Sequence, residues 1–408
     1  MEFEKLVTNP DVLKAVKELG YTESTAIQEK SMPMINEGKD IVGQSYTGSG
    51  KTMAFCIPIT EKLVKGSGLK ALILVPTREL CQQVHTEFMK AAKYKPLNVV
   101  QVFGGVDIQP QMRNVSKADA VVGTPGRMLD LIQRRAIRLD QVETLVLDEA
   151  DKMFEMGFID DVQKIISFTP NKRQTLLFSA TFNKEIKRIM ERFMRMPVIV
   201  KVQEFVDKSL LEEIYYSVPH YDRFSLLVHL LREEKSTLVL IFAGTRRATD
   251  MLTNNLKLQG FEAEALHGGL SQNKRTATLQ SFHASKLHVL VATDVAARGL
   301  DIKNVTHVYN FDVPKTDKEY LHRIGRTARA GKEGKAVTLL SEKDHDNFRR
   351  ILQNHSIKVE RRQLPEFKAL PFNTRMEREE HHGYARGGRQ GGGFRRNFRP
   401  RGRFGQRR

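Results

Sequence analysis

Long apolar runs are scarce in this sequence, which limits the kind of protein that it can specify. The longest, such as ALILV at 71–75 and TLVLIFA at 237–243, fall far below the roughly 20 residues that cross a bilayer. The N-terminus is acidic at its start and lacks the basic segment followed by an apolar one that marks a secretory signal. The sequence therefore predicts a protein without a membrane span that stays in the cytoplasm.

Cysteine is also rare. Cys56 and Cys81 are too few for a disulfide framework, and neither stands in a spacing typical of metal ligands. We expect both to be buried apolar side chains.

Acidic residues and lysine are missing from residues 383–408, which contain nine arginines and so account for half of the net charge of +18. The other residues of this segment are mainly glycine with a few aromatics, which cannot bury enough apolar surface to offset the entropy of ordering. The segment is therefore predicted to be disordered. A basic excess of this size, with a pI near 9.8, indicates a polyanionic partner.

The 408 residues are too many for one compact core, which predicts two folded domains. From about residue 37, short β-branched runs alternate with helix-forming stretches, and this is typical of an α/β fold with parallel sheets covered by helices. The alternation is interrupted at 201–213 and then resumes. We predict an N-terminal domain over 1–201, a linker over 202–211, a C-terminal domain over 212–365 and a basic extension over 366–408, Gly/Arg-rich from 383.

A glycine-containing loop follows the first apolar run in IVGQSYTGSGKT, residues 41–52. Such a loop between a strand and a helix can hold phosphates with its backbone N–H groups, while Lys51 reaches the terminal phosphates and Thr52 ligates Mg²⁺. The pattern usually has glycine at position 45, where this chain has serine. Taken alone, the pattern is moderately specific, and a flexible turn is the alternative.

Two acids end another apolar run in TLVLDEAD, residues 144–151. Asp148 can hold Mg²⁺ through water, and Glu149 can orient and deprotonate an attacking water in phosphoryl transfer. An ordinary acidic helix N-terminus is the alternative, since that position favours Asp and Glu anyway. The upstream loop with Lys51 favours the phosphoryl-transfer interpretation.

A pair of arginines lies in YLHRIGRTARAGK, residues 320–332. Arg326 and Arg329 are three residues apart, so on a helix or tight turn they point the same way and suit a charged phosphate. A solvated basic face is the alternative.

Six short motifs follow one another along the chain: PTREL (76–80), TPGR (124–127), DEAD (148–151), SAT (179–181), ATDVAARGLD (292–301) and HRIGRTAR (322–329). Their identity and order resemble those of the DEAD-box RNA helicase family, over about residues 3–360. The resemblance implies two tandem RecA-like domains that bind ATP, Mg²⁺ and RNA. The length and the Gly/Arg-rich tail are similar to those of bacterial members.

The resemblance also implies an ATP site. Within GYTESTAIQ, residues 20–28, Gln28 would read the adenine edge, with Tyr21 stacking nearby and Phe3 as an upstream aromatic. Two prolines of the family pattern are replaced here by Ser24 and Ala26, which is expected to loosen this loop. The implied ATP-binding set is Phe3, Tyr21, Gln28, Thr47, Gly48, Ser49, Gly50, Lys51, Thr52, Asp148, Asp301, Arg326 and Arg329.

Within that set, the resemblance implies distinct roles. Asp301 would contact the ribose from the second domain, while Arg326 and Arg329 would act as arginine fingers. The implied catalytic residues are Lys51, Glu149, Arg326 and Arg329, and the implied Mg²⁺ ligands, partly through water, are Thr52 and Asp148.

The resemblance implies RNA contacts in both domains. In the first they are Arg78, Gly104, Gly105, Thr124 and Arg127, and in the second Thr245, Arg246, Gly268 and Thr293. Most follow a predicted strand at a helix N-terminus, where they can bind phosphates without reading bases, so little sequence preference is expected. Ser179 and Thr181 are implied to link ATP hydrolysis to strand separation, although a Ser/Thr turn after a strand is as good an interpretation of that segment alone.

The sequence therefore predicts an ATP-dependent RNA helicase, in which RNA-stimulated ATP hydrolysis unwinds short duplexes or remodels RNA–protein complexes. Two alternatives stay open. One is a non-catalytic RNA chaperone that uses the arginine-rich tail for annealing, and the other is a DNA-directed translocase.

Overall fold

The structure is a computed structural model that describes residues 1–45, 49–202, 210–234, 236–297, 305–328 and 333–374. Most of the predicted linker lies outside the described residues, as does the arginine-rich segment from 383 onward.

A first lobe is built around a seven-stranded parallel sheet with the strand order β3-β4-β2-β5-β6-β1-β7. Its strands are β1 (Ile41–Gln44), β2 (Ala71–Leu74), β3 (Val99–Val102), β4 (Ala120–Gly123), β5 (Thr144–Leu147), β6 (Gln174–Ser179) and β7 (Val198–Lys201). Its helices are α1 (Pro10–Glu18), α2 (Ala26–Asn36), α3 (Lys51–Lys62), α4 (Arg78–Ala91), α5 (Ile108–Val115), α6 (Pro125–Gln133), α7 (Ala150–Glu155), α8 (Ile159–Ser167) and α9 (Lys184–Phe193).

A second lobe repeats this arrangement with the strand order β10-β11-β9-β12-β13-β8-β14. Its strands are β8 (Leu211–Ser217), β9 (Val239–Phe242), β10 (Ala263–Leu266), β11 (Val289–Ala292), β12 (His307–Asn310), β13 (Gly334–Leu340) and β14 (Glu360–Arg362). Its helices are α10 (Arg223–Glu233), α11 (Arg246–Leu258), α12 (Gln272–His283), α13 (Asp294–Ala297), α14 (Asp317–Ile324) and α15 (His345–Leu352). The predicted α/β fold with two tandem parallel sheets is confirmed.

Each sheet is covered on both faces because alternate strand residues point to opposite sides. In β2, Ile73 packs into one buried apolar cluster of the first lobe and Leu72 into the other. Ile241 and Leu240 of β9 do the same in the second lobe. Strands buried on both faces explain the continuous apolar runs in the sequence.

Residues beyond the predicted end of the second domain, at 365, also pack against the second lobe. Phe367, Leu370 and Phe372 contact its apolar core, and the backbone N–H of Leu370 donates to Ser225 Oγ at 3.0 Å. The aromatic rings of Phe372 and Phe224 lie 5.1 Å apart. The first part of the predicted basic extension is therefore packed against α10.

Both cysteines are buried and free of disulfide bonds, as expected. Burial raises the pKa of the Cys81 thiol to about 12, so this side chain stays protonated and apolar at neutral pH. Within the part of the chain that the structure describes, no helix has the length and apolar character needed to span a membrane.

Candidate active site

The predicted site residues of the first lobe gather where its parallel strands end. Lys51 follows β1, Asp148 and Glu149 follow β5, and Ser179 ends β6. Because β5, β6 and β1 are neighbours in register, with Gln44 opposite Ser179, their carboxyl ends meet at one edge. Ligands of open α/β sheets bind at this edge.

Lys51 is the first residue of α3 and is 7% exposed. Its Nζ donates to the carbonyl oxygen of Ser45 at 2.7 Å, and Ser45 Oγ lies 2.9 Å from Ser49 Oγ. Gly50, directly before the helix, has a φ of 91°, which favours glycine. The two described ends of the loop, Ser45 and Ser49, therefore lie close together, and the lysine side chain lies against the first of them. The other predicted members of the loop, Thr47 and Gly48, lie outside the described residues.

The predicted adenine-binding segment is joined to this loop by Gln28. Its Nε2 donates to the carbonyl oxygen of Gly50 at 3.1 Å, and its Oε1 accepts from the backbone N–H of Thr25 at 2.9 Å. A Cβ atom at Gly50 would lie 2.7 Å from Gln28 Nε2, so the contact requires glycine. Both the nitrogen and the oxygen of the Gln28 side-chain amide are thus hydrogen-bonded, which fixes this side chain against the end of the loop at Gly50.

Hydrogen bonds hold the segment in which the two family prolines are missing. The backbone N–H and the hydroxyl of Ser24 both donate to the carbonyl oxygen of Met1, each at 2.8 Å. Phe3 is buried in the first-lobe core, with its ring 6.2 Å from that of Tyr21. Contacts with the N-terminal residues therefore restrict the conformation of this segment, as the two prolines of the family pattern would.

Asp148 is a buried carboxylate, 2% exposed, whose Oδ1 accepts from the backbone N–H of Glu149 at 3.0 Å. Burial, together with the charge of Glu149, raises the pKa of Asp148 to about 7, although Lys51 acts in the opposite direction. A cation at this position would stabilise the ionised carboxylate.

Glu149 is held by a residue that the sequence analysis did not single out. Lys152 Nζ donates to Glu149 Oε1 at 2.8 Å, and both side chains are buried. Glu149 Oε2 is buried with no hydrogen-bond partner among the described residues. The three-residue spacing on α7 was the available signal, since side chains at i and i+3 lie on one face of a helix.

Ser179 and Thr181 lie beside Asp151, the last acid of the DEAD motif. The backbone N–H and the hydroxyl of Thr181 donate to Asp151 Oδ2 at 2.9 and 3.0 Å. Ser179 Oγ donates to the carbonyl oxygen of Thr181 at 2.7 Å. The end of β6 is thereby tied to α7, which also carries Lys152.

The second lobe contributes Arg326, which is buried just after α14 and donates from Nε to the carbonyl oxygen of His322 at 3.2 Å. The pKa of Lys152 is lowered mainly by burial; Glu149 opposes this and Arg326 adds to it. Arg326 of the second lobe therefore acts electrostatically on Lys152, the partner of Glu149 in the first. Two further predicted residues, Asp301 and Arg329, lie outside the described residues.

Three of the predicted RNA contacts of the first lobe, Arg78, Gly104 and Gly105, lie together beside Thr77, which was not among the predicted contacts. Thr77 caps α4, its side chain accepting from the backbone N–H of Leu80 at 3.2 Å, and Arg78 is the first helical residue. A Cβ atom at Gly105 would lie 1.9 Å from Arg78 Nη1, so the guanidinium packs directly on the backbone beside Gly104.

The second lobe has the same arrangement. Thr245 caps α11, accepting from the backbone N–H of Ala248 at 3.1 Å, and Arg246 begins the helix. A Cβ atom at Gly268 would lie 3.2 Å from Arg246 Nη2. The two sets of predicted contacts are therefore built in the same way at the carboxyl ends of the two sheets.

The other predicted RNA contacts also follow strands. Thr124 follows β4 and precedes α6, within which Arg127 donates from Nη2 to the carbonyl oxygen of Val106 at 3.0 Å. Thr293 follows β11, and its carbonyl oxygen accepts from the first turn of α13.

The two lobes contact each other through Glu79 of α4. Its Oε1 lies 3.0 Å from Arg275 Nη2 and accepts from Gln272 Nε2 at 3.1 Å, both on α12. Glu79 is buried, so this ion pair is shielded from solvent. The sequence analysis did not identify this contact, because no local pattern pairs residues nearly 200 positions apart.

The fold and this edge define a two-lobed P-loop protein of the helicase type. The DEAD/DEAH box helicase family matches residues 25–189, and the helicase conserved C-terminal domain matches residues 222–331. The chain belongs to the DEAD-box ATP-dependent RNA helicase family.

Relatives and solved structures support this assignment. The chain is 45% identical over 366 residues to the DEAD-box ATP-dependent RNA helicase CshA of Geobacillus kaustophilus, covering 89% of this chain and 78% of that one. It is similar to S. cerevisiae Dbp5 bound to RNA and ADP BeF3, with a TM-score of 0.80, 27% identity and coverage of 89% and 96%. For a DEAD box protein from Methanococcus jannaschii the TM-score is 0.55, with 38% identity and coverage of 88% and 99%.

The buried Lys152–Glu149 pair generates a stability prediction. Lys152→Met should lower the free energy of unfolding by about 3–5 kcal/mol, because it leaves the Glu149 carboxylate buried without its cation. Urea denaturation of the full chain measures this change.

Two matched variants control that measurement. Combining Lys152→Met with Glu149→Gln removes both charges and should recover much of the loss. Lys90→Met breaks a pair with the same spacing and a 2.7 Å distance to Glu87, but Lys90 is exposed, so the loss should not exceed about 1 kcal/mol. Equal losses for Lys152→Met and Lys90→Met would contradict the special role of the buried pair.

Proposed function

We propose that this chain hydrolyses ATP in response to RNA and uses the cycle to separate short RNA duplexes or to remodel RNA–protein complexes. The observation that carries the proposal is the division of the site between the lobes. Lys51 and Glu149 belong to the first lobe, and Arg326 of the second acts electrostatically on Lys152, the partner of Glu149. The site is complete only when the lobes are together, so the relative position of the lobes controls turnover.

ATP would bind at the carboxyl edge of the first sheet. Backbone N–H groups of the loop ending at Gly50 and the N-terminus of α3 would face the phosphates, and Lys51 would exchange its bond to Ser45 for one to a phosphate. Phe3, Tyr21 and Gln28 are proposed for the adenine end. The proposed loop residues are Thr47, Gly48, Ser49 and Gly50, and the proposed second-lobe residues are Asp301, Arg326 and Arg329.

Thr52 and Asp148 are proposed as the protein ligands of Mg²⁺. The donor set suits this ion, which takes one or two carboxylates together with phosphate oxygens and waters. Burial raises the pKa of Asp148 to about 7, and a bound cation would favour the ionised carboxylate that coordinates it. When bound, Mg²⁺ would offset negative charge on the reacting phosphates.

Glu149 is proposed as the group that orients and deprotonates the attacking water. Lys152 engages Oε1 and leaves Oε2 without a partner among the described residues, so one carboxylate oxygen is available to accept a proton. Arg326 and Arg329 would stabilise the charge that develops on the transferred phosphoryl group.

RNA would bind along both carboxyl edges through its phosphates. The proposed contacts are Arg78, Gly104, Gly105, Thr124 and Arg127 in the first lobe, and Thr245, Arg246, Gly268 and Thr293 in the second. Guanidiniums, threonines and helix N-termini recognise the backbone and not the base edges, which supports weak sequence preference. Ribonucleoprotein complexes are further proposed targets, and these substrates make the cytoplasm the proposed location.

Ser179 and Thr181 are proposed to couple hydrolysis to strand separation. Their hydrogen bonds to one another and to Asp151 connect β6 to the helix that carries Lys152, next to the proposed base. ATP and RNA would each favour the joined lobes and would therefore raise each other's affinity by the same factor. The similarity to a relative bound to RNA and a nucleotide supports this state of the chain.

ATPase assays with RNA or DNA of matched length test the proposed function. We expect strong stimulation by RNA and little by DNA. Equal stimulation by DNA would favour a translocase, and RNA annealing without stimulated hydrolysis would favour a chaperone.

Two substitutions separate ATP binding from chemistry. Lys51→Ala should weaken ATP binding, because the phosphates lose their cation. Glu149→Gln should retain ATP and RNA binding but lower kcat by about 10²–10⁴-fold, the usual contribution of a general base. Glu155→Gln, an exposed acid at the end of the same helix, is the control. Hydrolysis by Glu149→Gln at the wild-type rate would rule out the assignment of Glu149.

Arg326→Ala tests the division of the site. It should lower the RNA-stimulated kcat by about 10³-fold or more, as expected for an arginine finger. Arg349→Ala removes an exposed arginine of the same lobe and should leave kcat unchanged. Normal turnover by Arg326→Ala would remove the second lobe from the catalytic site.

A further inference from the structure

A cavity of about 500 Å³ lies at the opposite end of the first sheet from the ATP site. Its walls include residues at the amino ends of strands: Asp40, Glu143 and Arg173 directly precede β1, β5 and β6, and Arg195 lies three residues before β7. The strands between the two ends are four to six residues long, which separates the cavity from the carboxyl edge by about 13–20 Å. The cavity is therefore distinct from the site described above.

Three of the cations that line this cavity form no close ion pair with the described residues. Among the residues that the structure describes, no carboxylate lies within 4.0 Å of the side-chain nitrogens of Lys172, Arg173 or Arg195. Arg173 instead donates to the carbonyl oxygens of Pro170, at 2.8 Å, and Phe193, at 3.3 Å. The guanidinium is thereby oriented by neutral acceptors and not by a carboxylate.

Arg195 is fixed in a similar way. Its Nη2 donates to the carbonyl oxygen of Asn171 at 2.5 Å, which joins its loop to the loop that carries Lys172 and Arg173. Met196, the next residue, has a φ of 39°, which is rare for a residue other than glycine, and it is 95% exposed at the cavity wall. Strained backbone of this kind is typical of binding sites.

The acids near the cavity have other partners. Asp40 accepts from the backbone N–H groups of Thr175 and Arg195, both at 2.7 Å, one at each oxygen. Glu143 is paired with Lys70 at 2.7 Å. Both oxygens of Asp40 are thus engaged by backbone N–H groups and Glu143 is offset by Lys70, so neither carboxylate forms an ion pair with the three cations, and their donors can still bind an external anion.

The electrostatics of Arg173 agree with this description. Its pKa is lowered by burial, Asp40 opposes the effect, and the nearby charge of Arg195 adds to it. Its Nε is buried with no acceptor among the described residues. An anion that contacts both guanidiniums would relieve their repulsion and supply acceptors for their remaining donors.

We propose that this cavity is a second phosphate-binding site, which takes neighbouring phosphate groups of an RNA backbone or of a small oligophosphate. Two guanidiniums and an ammonium at one cavity match closely spaced phosphates, because the planar fork of arginine binds two phosphate oxygens at once. The site does not depend on the ATPase cycle. An RNA bound here would contact the first lobe away from the cleft where the strands are separated.

The test uses the full chain with Lys172→Gln and Arg195→Gln combined. Both side chains are exposed, and neither lies in the proposed ATP or RNA site, so folding and basal ATPase activity should be unchanged. Lys172→Gln alone, which removes no hydrogen bond described above, is the second variant should the pair unfold. The control combines Lys286→Gln and Arg350→Gln, two exposed cations of the second lobe, and changes the net charge equally.

One arm titrates tripolyphosphate by calorimetry in saturating ADP, which occupies the ATP site. The other follows binding of single-stranded RNA by fluorescence anisotropy over a salt series. If a small oligophosphate is the ligand, the cavity variant loses a class of tripolyphosphate sites that wild type and control keep. If RNA is the ligand, loss of two contacts should flatten the slope of log K against log salt by about 1.4.

Either loss, confined to the cavity variant, supports the site and identifies the source of the phosphates. Wild-type behaviour of the cavity variant in both arms would overturn the proposal. The proposal is equally wrong if the control variant loses as much as the cavity variant, because the effect would then come from net charge alone.

Discussion

The parallel hydrogen bonding of β5, β6 and β1 is the constraint on which the rest of the site depends. These three neighbouring strands end in register, so Lys51, Asp148 and Ser179 reach one edge although they are far apart in sequence. Lys51 and Asp148 then carry opposite charges in a buried setting, where Lys51 favours the ionised form of Asp148. A one-residue shift in the register of β5 would turn Asp148 to the other face of the sheet, and the three side chains would no longer meet.

The two lobes share one local arrangement of threonine, arginine and glycine. In each, a threonine caps a helix after a buried strand, the next arginine begins the helix, and a glycine that follows another strand of the same sheet lets the guanidinium lie against the backbone. The closeness differs, with an added Cβ at 1.9 Å from Arg78 but 3.2 Å from Arg246. Substituting Gly105 would thus displace its arginine, whereas the second lobe has room to adjust. Because the arrangement is repeated, each lobe has a similar surface, and the two surfaces suit the regularly spaced phosphates of the proposed RNA ligand.

Contiguous motifs made much of this architecture predictable. Lys51 and the Asp148–Glu149 pair were identified because strand, loop and helix signals stand next to the reactive residues, and the α/β alternation indicated both sheets. Side chains that act over long distances gave no such signal. The contact of Glu79 with Arg275 and the bond of Gln28 to Gly50 depend on how separate elements pack, which neither composition nor periodicity encodes. The packing of Phe372 on Phe224 was missed because it follows a segment in which periodicity fades.

The buried charges of the candidate active site lower the stability of the folded protein. Asp148 is buried with a pKa of about 7, and Glu149 keeps one oxygen without a partner among the described residues. Lys152 offsets part of this cost, but the approach of Arg326 from the second lobe makes the charged form of Lys152 less favourable. With the lobes together, these charges of both signs therefore lie in one buried region. Phosphates and a cation bound at this place would offset these charges, so the proposed binding of ATP and Mg²⁺ is expected to favour the joined lobes, and the joined lobes to favour binding.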